Sequence, residues 1–179
     1  MCVSAHYRLS PVQGIYVPDH AEHKQAVYAE FARERFSDVI DEAMPLLQKQ
    51  AAELNANPDL PLAVDRDVYN AAEDAGVLRL FTARFSGHLI GYACFSVAVN
   101  PHYATSPPQS VQDVFYIEPT ARGVGIGDAF IKYCNSMLAF EGVNLDYQHV
   151  KIAHPALRKL LEANGYVMVE WVLMKRLGA

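Results

Sequence analysis

Cysteine is scarce in this chain of 179 residues: Cys2, Cys94 and Cys134 stand far apart, with no CxxC pair and no even set. That argues against a disulfide framework or a cysteine zinc site, and it suits a reducing cytoplasm. A basic excess is missing too. Fifteen Lys and Arg face twenty Asp and Glu, for a formal net charge of -5, which disfavours a nucleic-acid binder that works by neutralising backbone phosphates. No uncharged apolar run reaches membrane-spanning length, and the opening MCVSAHYRLS lacks the basic and apolar regions of a signal peptide. Neither nucleic acid nor membrane is the expected partner. There is no internal repeat and no low-complexity tract. What remains is ordinary globular composition, 51% hydrophobic and 20% charged, enough for one domain with a sizeable core.

The character of the chain changes near Gly76, from helical to strand-rich. Asp19 and Glu22 have capping-box spacing, and Val27, Tyr28 and Phe31 follow at helical intervals, which predicts a first helix. Ile40, Ala43, Met44, Leu47, Ala51 and Leu54 predict a second, kinked or restarted at Pro45 and broken by Asn57, Pro58 and Pro61. A third is expected from Asp65, with Val68, Ala71, Ala72 and Ala75 inward and Gly76 as its stop. From Val77 onward, VLRLFTARF and LIGYACFSVAV flank Ser86, Gly87 and His88 as a hairpin. A proline-rich loop then precedes the strand VQDVFYIEP, and ARGVGIG leads into a helix with Phe130, Ile131, Cys134, Met137 and Leu138 on one face. A strand is expected around Tyr147 to Ile152 and a helix from Pro155 with Leu157, Leu160 and Leu161 inward. Asn164 and Gly165 stop that helix, and YVMVEWVLM is predicted as a final strand. The expected organisation is one domain over 1–179, mainly helical over 1–76 with a mixed core over 77–177.

Chemistry concentrates in Arg122, Gly123, Val124, Gly125, Ile126 and Gly127, where a strand gives way to a helix. Such a turn aims several backbone N–H groups one way, and the helix N-terminus adds roughly half a positive charge. Phosphate is the natural guest, and glycine lets it approach the backbone. A P-loop needs GK followed by Ser or Thr, whereas Asp128 and Ala129 follow Gly127. A dinucleotide fingerprint would place Asp128 where a small residue belongs, and 52 residues after Gly127 cannot complete a doubly wound sheet. Arg122, Gly125 and Gly127 do satisfy the R/Q-x-x-G-x-G/A signature of the GNAT acyltransferases. VFYIEPTARGVGIGDAF resembles that family's strand, proline turn, pyrophosphate loop and helix, and LLEANGY resembles its closing helix and Gly-aromatic turn. The resemblance covers about residues 77 to 177, and the chain is also similar to bacteriophage-encoded GNAT proteins.

The resemblance implies an α/β GNAT fold, a mixed twisted sheet with helices on both faces. It implies acetyl-coenzyme A as acyl donor and an amine of unknown identity as acceptor, small molecule or protein, with a homodimer possible for the family. The donor would lie in a V-shaped opening between the strand ending at Glu118 and the strand near His149. The backbone of Phe115, Tyr116 and Ile117 would meet the pantetheine arm. Arg122, Gly123, Val124, Gly125, Ile126, Gly127 and Asp128 would hold the pyrophosphate.

An alkylammonium keeps its proton until about pH 10.4, so transfer to an amine needs a base. The resemblance places a carboxylate four residues before Ile117, at Asp113, and strand alternation puts Asp113 on one face with Phe115 and Ile117, where burial would raise its pKa. The bland alternative is an Asp capping the proline-rich loop. The family's closing-helix Tyr falls on Leu161 and its helix-start Asn on His154, so the usual acid is missing. Tyr166, Tyr116, His149 and Cys134 are the open substitutes. His149 and His154 lie near the opening as titrating groups, substrate contacts or hydrogen-bonded structural histidines, and no third ligand suggests a metal. Glu118 is expected to be solvated, and Trp171 to be core. A catalytically degenerate protein of the same fold, regulatory or structural in a phage particle, is the rival, favoured by Leu161.

Overall fold

The computed structural model describes residues 29–54, 59–152, 154–175 and 177. Its elements run β1 (Ala29–Glu34), α1 (Phe36–Leu54), α2 (Arg66–Asp74), β2 (Leu78–Phe85), β3 (His88–Ala98), β4 (Gln109–Ile117), α3 (Ile126–Phe140), β5 (Leu145–Tyr147) and α4 (Pro155–Ala163). The five strands form one sheet in the order β1-β2-β3-β4-β5, antiparallel except for the parallel pair of β4 and β5. One face carries α1 and α2 over Val39, Ile40, Leu80, Tyr92, Cys94 and Tyr116. The other carries α3 and α4 over Phe81, Phe95, Phe115, Phe130 and Leu161. No helix among the described residues is long and apolar enough to cross a membrane.

The local signals that matched do so for local reasons. Asp65 caps α2 by accepting from the Val68 amide at 3.1 Å. Ser86 and Gly87 both have positive φ, 49° and 81°, the conformation a two-residue hairpin requires. α3 buries Ile126, Phe130, Ile131, Cys134 and Leu138 on one stripe. Pro155 opens α4, and Gly165 follows it at φ 88°.

Other expectations are corrected. Asp19, Glu22, Val27 and Tyr28 of the predicted first helix lie outside the described residues, but Phe31 belongs to a strand. Its ring stacks on Phe130 at 5.3 Å while β1 pairs along β2, so tertiary pairing overrides helical spacing. The second helix starts earlier, at Phe36, and is continuous with Pro45 inside it; its breakers Asn57 and Pro58 are outside the described residues. In α2 the inward residues are Tyr69 and Ala72, while Val68 is 61% exposed and Ala71 and Ala75 are exposed as well. β5 is a three-residue strand ending at Tyr147, not a strand reaching Ile152. The predicted last strand is not formed: residues 166–175 have no regular structure and Trp171 is 74% exposed, not core. An apolar alternation becomes a strand only where an edge pairs with it, and β5 offers three residues.

The split in the sheet follows from β4. Cys94 pairs with Val114 and Phe95 with Gln112, so Asp113 is one extra residue in β4, a β-bulge. The β4–β5 ladder ends with Val111 opposite Tyr147. Beyond it the buried Gln112 side chain accepts from the His149 amide at 3.1 Å, replacing a ladder bond as the strands diverge. Past Val111 no strand among the described residues pairs with this edge of β4, which leaves a wedge in the sheet between the second half of β4 and the chain after Tyr147. On its other edge the second half of β4 leans closely on Gly91. A Cβ there would strike the Ile117 side chain and come within 2.8 Å of the Tyr116 carbonyl oxygen, which is backbone and cannot step aside. Gly91→Ala is therefore expected to destabilise the protein by about 1–3 kcal/mol, read as a lowered thermal midpoint by circular dichroism. An unchanged midpoint would contradict the contact.

Candidate active site

The glycine segment follows the second half of β4, one side of the wedge. After β4, residues Pro119–Ala121 make a single 3-10 turn, and the chain reaches α3 through Gly123 at φ 82° and Gly125 at φ 87°. Gly125 is the N-cap of α3 and supplies no side-chain acceptor, so the first-turn amides are not capped from that position. Gly127 has a second duty. A Cβ there would meet Leu160 Cδ2 at 3.1 Å, so its smallness lets α4 close on the first turn of α3. Asp128 joins the same contact: it accepts from Lys132 at 2.7 Å and from Asn164 at 2.9 Å, and these bonds, Lys132 first, hold its carboxyl below the usual range.

Arg122 is not free. Its guanidinium makes a bidentate pair with Glu53 at the end of α1, at 2.6 and 2.8 Å, while its Nε donates to the Ile117 carbonyl at 2.7 Å. The same group lies 5.2 Å from the centroid of the Tyr116 ring. Glu53 also contacts Tyr116 Oη at 3.4 Å and His154 Nδ1 at 3.8 Å. The Arg122 bond is the main reason the Glu53 carboxyl sits below its ordinary value, partial burial acting the other way. One turn earlier on α1, Lys49 pairs with Glu118. Glu118 is thus ion-paired with its side chain only 22% exposed, where solvation was expected.

Asp113 is corrected in its surroundings. The bulge takes it out of step with Phe115 and Ile117, which are buried against α3, and leaves it exposed on the α2 side. There Oδ2 accepts from Tyr69 Oη at 2.7 Å. Burial, and then this bond, push the Tyr69 hydroxyl above its ordinary pKa, so it stays a proton donor to Asp113. The burial expected for the carboxylate is absent.

The other predicted residues divide. Tyr116 reaches the Arg122–Glu53 pair, and His154 stands beside it. His149 is exposed just past the end of β5, at the wedge. Tyr166 is not brought there. Its hydroxyl is held by Asp146 at 2.6 Å and Asn135 at 2.8 Å, and Asn135 lies roughly 13 Å along α3 from the loop. Cys134 is 1% exposed in the core, its thiol pushed up by burial. Sequence reasoning missed Glu53, Lys49 and Tyr69. Lys49 and Glu53 are four apart on one face of α1, the sole local hint; nothing near Tyr69 points to Asp113.

This arrangement is the GNAT acetyltransferase fold: a mixed sheet split at a bulged strand, a glycine loop at the split, and helices on both faces. No family model and no curated protein matches the sequence. Solved structures do match. The ribosomal-protein-alanine N-acetyltransferase of Brucella melitensis biovar Abortus 2308 is 21% identical with a TM-score of 0.64, covering 84% of this chain and 99% of that one. A predicted acetyltransferase from Clostridium acetobutylicum, solved with acetyl-CoA, is 14% identical at 0.63, covering 82% and 96%. The aminoglycoside N-acetyltransferase AAC(6')-Iy, in complex with CoA, is 16% identical at 0.63, covering 88% and 100%.

Proposed function

We propose that this protein is an N-acyltransferase that moves an acetyl group from acetyl-coenzyme A to a primary amine of a small molecule or a protein. The observation that carries the reading is the loop from Arg122 to Gly127, with positive φ at Gly123 and Gly125, following β4 on one side of the wedge. Its donor class is that of fold relatives solved with acetyl-CoA and with CoA. Amides of the loop and of the first turn of α3 would hold the diphosphate. The edge of β4 at Phe115, Tyr116 and Ile117, which no β5 residue pairs with, would align the pantetheine arm. Acetyl-coenzyme A supplies an activated acyl carbon and a sulfur leaving group.

The amine nitrogen attacks the thioester carbonyl carbon; a C–N bond forms, the C–S bond breaks, and its electron pair leaves on sulfur. Asp113 takes the proton that nitrogen sheds, with Oδ2 engaged by Tyr69. Tyr69 orients the carboxylate. Backbone N–H groups of β4 polarise the carbonyl, and positioning supplies most of the acceleration. The thiolate, with a pKa near 8.5 by analogy with cysteine, leaves without an obligatory acid, in keeping with Leu161 where the resemblance puts a tyrosine. His149, exposed at the wedge, is a substrate contact.

Thiol release from acetyl-coenzyme A in the presence of a broad amine panel tests this. Release should fall by about a hundredfold in Asp113→Asn while coenzyme A affinity is unchanged. Binding without release from any amine would favour the second reading, a binding protein of this fold. Leu161, 3% exposed in the core, is the observation in its favour.

A further inference from the structure

Arg122 is the one cationic side chain in the stretch PTARGVGIGD, and its guanidinium is held by Glu53 and by the backbone of β4. Its bidentate partner Glu53 is a carboxylate at the end of α1, beside the end of β4. Its third bond goes to the Ile117 carbonyl, on the β4 segment proposed to align the donor. The tie to Glu53 is not deeply buried: the Arg122 and Glu53 side chains are 40% and 27% exposed, so the pair can separate without stranding a desolvated charge.

A diphosphate on the loop would bring two negative charges to the residue that opens it, against the single charge of Glu53, and a planar guanidinium matches either partner bidentately. We propose that Glu53 is the binding site for the acceptor's ammonium group, and that Arg122 closes it until the donor's diphosphate draws the guanidinium away. This rests on the acyltransferase reading above and deepens it. Once Arg122 has moved, the Ile117 carbonyl is open to an amide of the donor arm. Glu53 keeps two weaker neighbours, Tyr116 Oη at 3.4 Å and His154 Nδ1 at 3.8 Å. A carboxylate at the wedge with its cation removed takes an ammonium in its place. Donor must then bind before acceptor, and the acceptor is recognised as a cation.

Titration calorimetry with coenzyme A on the full chain tests the exchange. Glu53→Ala and Glu53→Gln should bind coenzyme A about three- to tenfold more tightly than the unmodified protein, since Arg122 no longer has to be pulled from a rival. Arg122→Gln should bind at least tenfold more weakly. Adding Glu53→Ala to Arg122→Gln should recover nothing, which a merely structural role for Glu53 would not produce. A second arm titrates primary amines, with butylamine and spermidine as probes. Heat should appear with coenzyme A present, be absent without it, and be lost in Glu53→Gln. Equal or weaker coenzyme A affinity in Glu53→Gln at an unchanged thermal midpoint overturns the proposal. Equally tight amine binding with and without coenzyme A overturns it too. If coenzyme A binds none of these proteins, the acyltransferase reading itself has failed, a result distinct from either.

Discussion

Arg122→Glu combined with Gly125→Val is expected to weaken coenzyme A binding at least a hundredfold, to the point that calorimetry detects no heat. Gly125 sits at φ 87° and ψ -5°, in the left-handed region. A β-branched residue there costs about 1–2 kcal/mol or more, at the N-cap position of α3. The charge reversal places a carboxylate beside Glu53 where the guanidinium now lies and adds repulsion toward any diphosphate. Each single change should show part of the loss. Circular dichroism separates this outcome from unfolding, because Arg122 and Gly125 both lie outside the two buried clusters. Retained binding by the double variant would remove the loop from the site.

Phe130→Ala should cost the most stability. Phe130 is 0% exposed, and its ring lies 5.3 Å from Phe31 and 5.5 Å from Phe115, so it joins α3 to both β1 and β4. Removing a buried phenyl ring costs roughly 3–5 kcal/mol, from lost transfer energy and the cavity left behind. For a domain of this length each kcal/mol moves the midpoint by about 2–4 °C, so the drop expected in a melting curve is on the order of 10 °C. A drop of only a degree or two would mean that this interface is not built as described.

What could be read from residues alone was what neighbours along the chain decide. α3 announced itself through a stripe of which Phe130, Ile131, Cys134 and Leu138 are buried and Met137 partly so, α4 through Pro155 and Gly165, and the hairpin through Ser86 and Gly87. The loop was visible because its chemistry is contiguous. Contacts across the fold left no such trace. Phe31 has helical spacing from Val27 and Tyr28 but lies in a strand beside β2, and Asp113 alternates with Phe115 until one extra residue turns it toward Tyr69. Glu53 and Arg122 are 69 positions apart, so no local pattern could pair them. The last predicted strand went astray for the complementary reason: its alternation was real, but pairing belongs to two segments and only one was in view.

The three-pair ladder between β4 and β5 bears on how tightly anything can be held there. Under the proposed reading the donor meets an edge that no ladder bond among the described residues joins beyond Val111, so no strand pairing has to be broken to admit it. Its affinity then reflects what it touches and not what it must first displace, apart from a single arginine.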